Sequence, residues 1–194
     1  MYNLILDSST KVLYVAVTND TEVLYEKYIE GKNDHAKNIV FTVDEALKKA
    51  SIDSFKLDRV IVGYGPGSYT GVRMAVTVAK MMAVFAKVKL YIVSSLILMA
   101  SGVKGVVKAS IDARRGNAFA GVFDILNDKV LLEEGMYPYS KLDEFEGEKV
   151  TEDSYKVDPF YVIKKAQLVD EPHLLVPNYL RDTEAERNLK WLED

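Results

Sequence analysis

The chain has 194 residues, a net charge of −4, a pI near 5.4 and a hydrophobic fraction of 48%. That apolar content suffices for a sizeable core and excludes global disorder, and the acidic balance excludes a basic footprint for holding nucleic acid alone. With no cysteine, disulfides, thiol catalysis and thiolate metal sites are also excluded.

Leu4-Ile5-Leu6 reads as a short buried strand ending in Asp7-Ser8-Ser9-Thr10. It follows Met1-Tyr2-Asn3 directly, without a charged-then-apolar leader, so a cytoplasmic protein is expected. Val12 to Thr18 and Val23 to Ile29 are rich in β-branched and aromatic residues, with Asn19-Asp20 as the turn between them. The first thirty residues therefore predict a three-stranded meander. From Asp34, a candidate cap, the period becomes helical. Ala36, Ile39, Val40, Val43, Ala46, Leu47 and Ala50 share one face, and Phe41 stands on the opposite one.

Leu57 to Tyr64 is the next predicted strand. It runs into Gly65-Pro66-Gly67-Ser68-Tyr69-Thr70-Gly71-Val72-Arg73 and then into a helix from about Tyr69 to Lys87, with Ser68 as its cap. Strand, glycine turn and helix start have the shape of a phosphate cradle. The spacing of neither the Walker A loop nor the dinucleotide fingerprint is met, since Thr70 stands where the third glycine would be. On a wheel, Arg73, Thr77, Lys80 and Lys87 form a narrow polar stripe that interrupts the helix as a membrane span. The apolar arc is roughly 220° wide, about twice what packing on one sheet needs. Gly71, Ala75, Ala79 and Ala83 recur within it at every fourth position, a stripe that lets another helix come close, including one from a second chain.

Leu90 to Val93 is a short strand, Ser94 or Ser95 caps a helix to about Ala100, and Ser101-Gly102 closes the first half. A second half then repeats the first. Lys104 to Ile111 is a strand ending at Asp112, which lies 105 residues after Asp7. At that offset, without a gap, Tyr14 meets Phe119, Ala16 meets Gly121 and Val17 meets Val122. A turn at Asn127-Asp128 and a strand from Val130 to Tyr137 follow. Two lobes are expected, at residues 1–102 and 103–194. The second is thinner: a short strand near Lys149, a helix from Tyr161 to Leu168, extended chain at Pro177-Asn178-Tyr179-Leu180-Arg181, and a charged helix over 184–192.

His35 and His173 are the only histidines, lie in different halves and lack a second histidine at ligand spacing. His35 reads as a surface or interface residue. No Gly-x-Ser-x-Gly occurs. Asp7 and Asp112 are the carboxylates with a structural reason to converge, around a metal–nucleotide held between lobes.

The Asp-Ser-Ser-Thr strand end, the duplication and the string Tyr64 to Arg73 together closely resemble the TsaB (YeaZ) family. Ile111-Asp112-Ala113-Arg114-Arg115-Gly116 and Tyr179-Leu180-Arg181 with Glu184-Ala185-Glu186 extend the resemblance over nearly the whole chain. It implies an α/β protein of the duplicated actin-like ATPase (ribonuclease H-like) superfold with a shortened second lobe. It also implies a non-catalytic role in making threonylcarbamoyladenosine at position 37 of tRNA. The partners would be the catalytic paralogue TsaD, the small ATPase TsaE, tRNA within the complex, and a second copy of the chain. The catalytic paralogue carries His-x-x-x-His where Ser95 and Met99 stand here, which removes its metal site. Glycines that would admit phosphates beside each strand-end Asp are replaced by Ser8-Ser9 and Ala113-Arg114-Arg115. No cofactor is expected to bind this chain tightly on its own. Asp7, Ser9, Asp112, Arg114 and Arg115 are the expected contacts to an ATP or ADP shared with a partner. The expected partner surface is His35, Ile39, Phe41, Gly71, Ala75, Val78, Ala79, Met82 and Ala83. The rival readings are a small-molecule kinase or ATPase of the same superfold and a peptidase, the latter disfavoured by the missing nucleophile and ligands.

Overall fold

The computed structural model describes residues 1–31 and 35–180, with side chains from residue 38 in the first helix. The Asp34 cap, the His35 side chain, Arg181, Glu184-Ala185-Glu186 and the terminal helix expected over 184–192 lie outside the described residues. The first half begins with the meander β1 (Asn3–Asp7), β2 (Val12–Thr18) and β3 (Val23–Glu30). Helix α1 (His35–Lys49) leads to β4 (Arg59–Gly63), α2 (Tyr69–Phe85), β5 (Lys89–Val93) and α3 (Ser95–Ala100). β4 lies parallel to β1, and β5 lies parallel to β4.

β1 and β2 are buried along their whole length because both sheet faces are covered. Leu4, Leu6, Val60, Val62 and Leu90 point to α1 and α2. Ile5, Tyr14, Ile61 and Val93 point the other way, to α3. That alternation is the two-residue period of a strand. α3 has no polar face of its own: Leu98 packs under this sheet, while Leu96, Met99 and Ala100 pack against the next. Val40 departs from the expected apolar face of α1. It is 63% exposed, beside the exposed Phe41, while Ile39, Val43, Ala46 and Leu47 of the described residues pack into the core.

The second half repeats the meander as β6 (Val106–Arg114), β7 (Asn117–Asp124) and β8 (Lys129–Pro138), followed by α4 (Tyr139–Leu142) and β9 (Glu148–Val150). β9 is parallel to β6, as β4 is to β1. The duplication is therefore structural, with a one-residue correction. Leu4 pairs with Val17, whereas Ala109 pairs with Gly121 and not with Val122. The turn between the first two strands is one residue shorter in the second half, which a gap-free offset misses, and such a slip exchanges the sheet faces. α5 (Pro159–Lys165) and β10 (Gln167–Leu168) then return to the first sheet, whose order is β10-β5-β4-β1-β2-β3. The second sheet has four strands, β8-β7-β6-β9. Two meander-based sheets, one truncated, form the duplicated actin-like (ribonuclease H-like) fold. Among the described residues no helix is long and apolar enough to cross a membrane.

Candidate functional site

Asp7 ends β1 with no exposed surface. Its Oδ1 accepts from the Ser9 amide at 3.0 Å and from the Ser95 hydroxyl at 3.1 Å. Its Oδ2 accepts from the Ser9 hydroxyl at 2.9 Å and from the Tyr155 hydroxyl at 2.5 Å. Gly63, at the end of β4, makes this approach possible: a Cβ there would stand 2.6 Å from the Asp7 carboxyl carbon and 2.8 Å from the Ser95 hydroxyl. Burial pushes the Asp7 carboxyl above its usual range, and the four hydrogen bonds oppose that shift. Two donors on each oxygen use the lone pairs a carboxylate offers. A metal ion or phosphate-bound cation would have to displace one of these groups.

The Ser95 hydroxyl also accepts from the Gly65 amide at 3.1 Å. Met99 is fully buried in the core between α3 and the second sheet, so its sulfur faces apolar side chains. Among the described residues no three His, Cys, Asp or Glu side chains are grouped so as to hold a metal ion.

The glycine turn is packed with the chain's own backbone. The Ser68 amide donates to the Ser9 carbonyl at 2.6 Å, and the Ser8 hydroxyl donates to the Gly71 carbonyl at 2.8 Å. A Cβ at Gly67 would lie 2.3 Å from the Ser9 carbonyl oxygen, and one at Gly71 would lie 1.9 Å from that of Ser8. Ser68 caps α2 by accepting from the Gly71 amide at 3.3 Å, as its position predicts. Phosphate-cradle shape is present, but Ser8 and Ser9 fill it. From the other side the Asn178 amide donates to the Tyr64 carbonyl at 2.7 Å.

Asp112 is exposed at the end of β6, where it accepts from the Arg114 amide at 3.0 Å. Arg114 and Arg115 are exposed too, and both take left-handed backbone, with φ of 66° and 54°. Asp7 and Asp112 hold equivalent strand ends, yet the groups bonded to Asp7 are Ser9, Ser95 and Tyr155. Asp7 is thus buried among its own partners while Asp112 faces water.

The expected partner residues divide in two. Ile39, Gly71, Ala75 and Ala79 are buried in the first half's own core, against the sheet and the Ser8 carbonyl. This corrects their assignment to a partner surface: the small-residue stripe serves close approach within the chain. Val78, Met82 and Ala83 sit at the rim of that core, and Phe41 is exposed. The face left to solvent carries Val40, Phe41, Met81, Val84 and Phe85, the last 74% exposed. A groove of about 410 Å³ runs between α1 and α2, lined by Ile39, Val40, Tyr69, Arg73, Met74 and Thr77, among others.

The polar stripe of α2 has a covering that the sequence did not disclose. Residues after β10 run back along α2, where the Lys80 ammonium donates to the carbonyls of His173 (2.9 Å) and Leu175 (3.0 Å). Leu175 packs on the core, and the Tyr179 ring lies 4.8 Å from that of Tyr69, over which Arg73 also sits. Tyr155, Lys80 and Asn178 were missed because each acts across the chain, with no local spacing to mark it.

Comparison with known proteins gives three results. Residues 23–165 match the family model described as "TsaD: tRNA N6-adenosine threonylcarbamoyltransferase". Two curated relatives are the tRNA threonylcarbamoyladenosine biosynthesis proteins TsaB of Bacillus subtilis and Escherichia coli. They are 32% identical over 127 residues (64% of this chain, 56% of the relative) and 31% identical over 122 residues (60% and 52%). The chain thus spans about half the length of the curated relatives it matches. Among solved structures, YeaZ from Pseudomonas aeruginosa aligns over 92% of this chain and 99% of its own, with a TM-score of 0.74 at 20% identity. A structure described as similar to peptidase YEAZ, also from Pseudomonas aeruginosa, gives 0.77 at 21% identity over 93% and 99%. At such identities these two speak for the fold.

Proposed function

The chain belongs to the TsaD family of tRNA N6-adenosine threonylcarbamoyltransferases, with TsaB proteins among its relatives, and on that premise we propose that it is a non-catalytic scaffold of tRNA threonylcarbamoyladenosine synthesis. In this reading it works in the cytoplasm, pairs with a catalytic TsaD and lets TsaE join the pair. The observation that carries the reading is the outer face of α1 and α2. Val40, Phe41, Met81, Val84 and Phe85 leave two adjacent helices with apolar surface in water, beside an open groove. Several large apolar side chains left in water on two neighbouring helices are what a protein contact would cover. Burying a two-helix face of this size removes on the order of 1,600 Å² from water, a standard interface. A second copy of the chain would compete for the same face.

The filled Asp7 site supports the non-catalytic half of the reading. Four donors on its carboxyl and backbone-on-backbone packing in the glycine turn leave a nucleotide to be held, if at all, at a surface shared with the partner, where Asp112, Arg114 and Arg115 are exposed. A net charge of −4 supports main tRNA contacts made by the partner.

The test is reconstitution with TsaD and TsaE of the same organism. The expected result is a defined complex by sedimentation and threonylcarbamoyl transfer to tRNA that requires this chain. Absence of a complex, together with tight stoichiometric Mg-ATP binding by the chain alone, would favour the small-molecule kinase instead.

A further inference from the structure

Residues 151–158 leave the second sheet after β9 and lie against the first half of the chain. Lys11 pairs with Asp153. The Lys156 amide donates to the Met99 carbonyl at 2.8 Å, and the Lys156 carbonyl accepts from the Gly102 amide at 2.9 Å. The Asp158 amide donates to the Ser101 hydroxyl at 2.8 Å. Between these ties Tyr155 turns inward and supplies the fourth donor on Asp7. Its ring packs into the cluster joining α3 to the second sheet and into the one beneath the first. The rings of Tyr14 and Tyr28 lie 6.2 and 6.1 Å away.

We propose that Tyr155 and Asp7 form a latch that fixes the two sheets against each other, the second half supplying the phenol and the first the carboxyl. The physical reason is where the bond lies. If the sheets part, Asp7 loses a donor in a site that water does not reach, and an unmet buried acceptor costs far more than a surface one. The latch makes the junction of the two sheets a fixed joint. A second contact acts in the same sense at the far end: the Tyr161 hydroxyl on α5 donates to Asp128, in the β7–β8 turn, at 3.0 Å, and Lys164 lies 3.3 Å from the same carboxyl. The consequence is a chain that presents the α1–α2 face from one rigid body, whichever partner covers it.

Backbone hydrogen exchange of the full chain carrying Tyr155→Phe, which removes one hydroxyl, tests the latch. The amides of Ser9, Gly102, Lys156 and Asp158 are expected to exchange at least about tenfold faster, while those in the middle of β2 and β7 keep their rates. Unchanged exchange at the four joint amides would overturn the proposal. Should Tyr155→Phe not fold, the same substitution in an Asp7→Asn background decides. A neutral amide strands no buried charge, so recovery of a folded chain supports the latch, and continued failure overturns it.

Discussion

Asp7 and Asp112 close the first strands of two copies of one meander, and they have reached opposite conditions. Asp7 is sealed beneath α3, the glycine turn and residues 151–158, with every oxygen lone pair engaged. Asp112 stands in water, bonded to the amide of Arg114 two residues on. What differs is the covering: the first sheet acquires α5, β10 and the returning chain, while the second stops at four strands. An equivalent place in a repeated unit becomes an equivalent site only when the same elements pack over it.

The comparison breaks most visibly at the glycines beside each strand end. Gly71→Val would drive a side chain into the Ser8 carbonyl, 1.9 Å from the first added carbon, so a loss above about 4 kcal/mol is expected, read as absent native far-UV circular dichroism. Ala79→Arg should fail in the same way, since Ala79 has no exposed surface. Gly116, beside the second strand end, has nothing within 4 Å of the place a Cβ would take, and Gly116→Ala should cost only the left-handed backbone at φ +77°, about 1 kcal/mol by urea denaturation.

A smaller effect separates the aspartates themselves. Asp7→Ala strands the Ser9 amide and three hydroxyls in a dry site, for an expected loss of about 3 kcal/mol. Asp112→Ala should cost less than about 1 kcal/mol, and equal losses from the two would contradict the contrast.

The smallest effect is a pH slope. Asp7 has its folded pKa raised by burial, so the folded state holds a proton where the unfolded chain has released it. Its contribution is therefore fully present below the ordinary carboxylate value and is lost as pH rises through the raised value. Asp128 has the opposite sign: hydrogen bonds from Lys165 and Tyr161 lower it to about 2, so its stabilisation is present above the ordinary value and lost as pH falls toward 2. Urea midpoints measured across pH should show Asp7→Asn removing the loss on the rising side and Asp128→Asn removing the loss on the acid side. Parallel curves for wild type and both variants would refute the assignment.

Much of the first sheet is legible in the sequence because strand and helix periods are local. Val12–Thr18 can be read to the residue, and Ser68 stands at the cap it forms. The duplication is legible through the strand-end aspartates, but its register slips by one because a turn length leaves no mark in an ungapped comparison. The candidate site is legible only by subtraction. Ser8-Ser9 beside the strand-end aspartate argue against a phosphate cradle, yet do not disclose that Ser9, Ser95 and Tyr155 close a hydrogen-bond network on Asp7. The stripe Gly71, Ala75, Ala79 misleads, because small residues at every fourth position mark close approach without saying whether the neighbour belongs to the same chain. A wheel likewise has no means of knowing that residues 169–178 fold back onto α2.

The central claim is that function has moved from the filled strand end to the outer face of α1 and α2. Its most direct test is sedimentation of this chain with TsaD, using Val40→Glu and Thr77→Arg, two exposed positions on the α1–α2 groove. Both variants are expected to melt like wild type and to bind TsaD about thirtyfold more weakly or worse, as for a charge placed in an interface centre. Folded variants that bind TsaD with wild-type affinity would contradict the account.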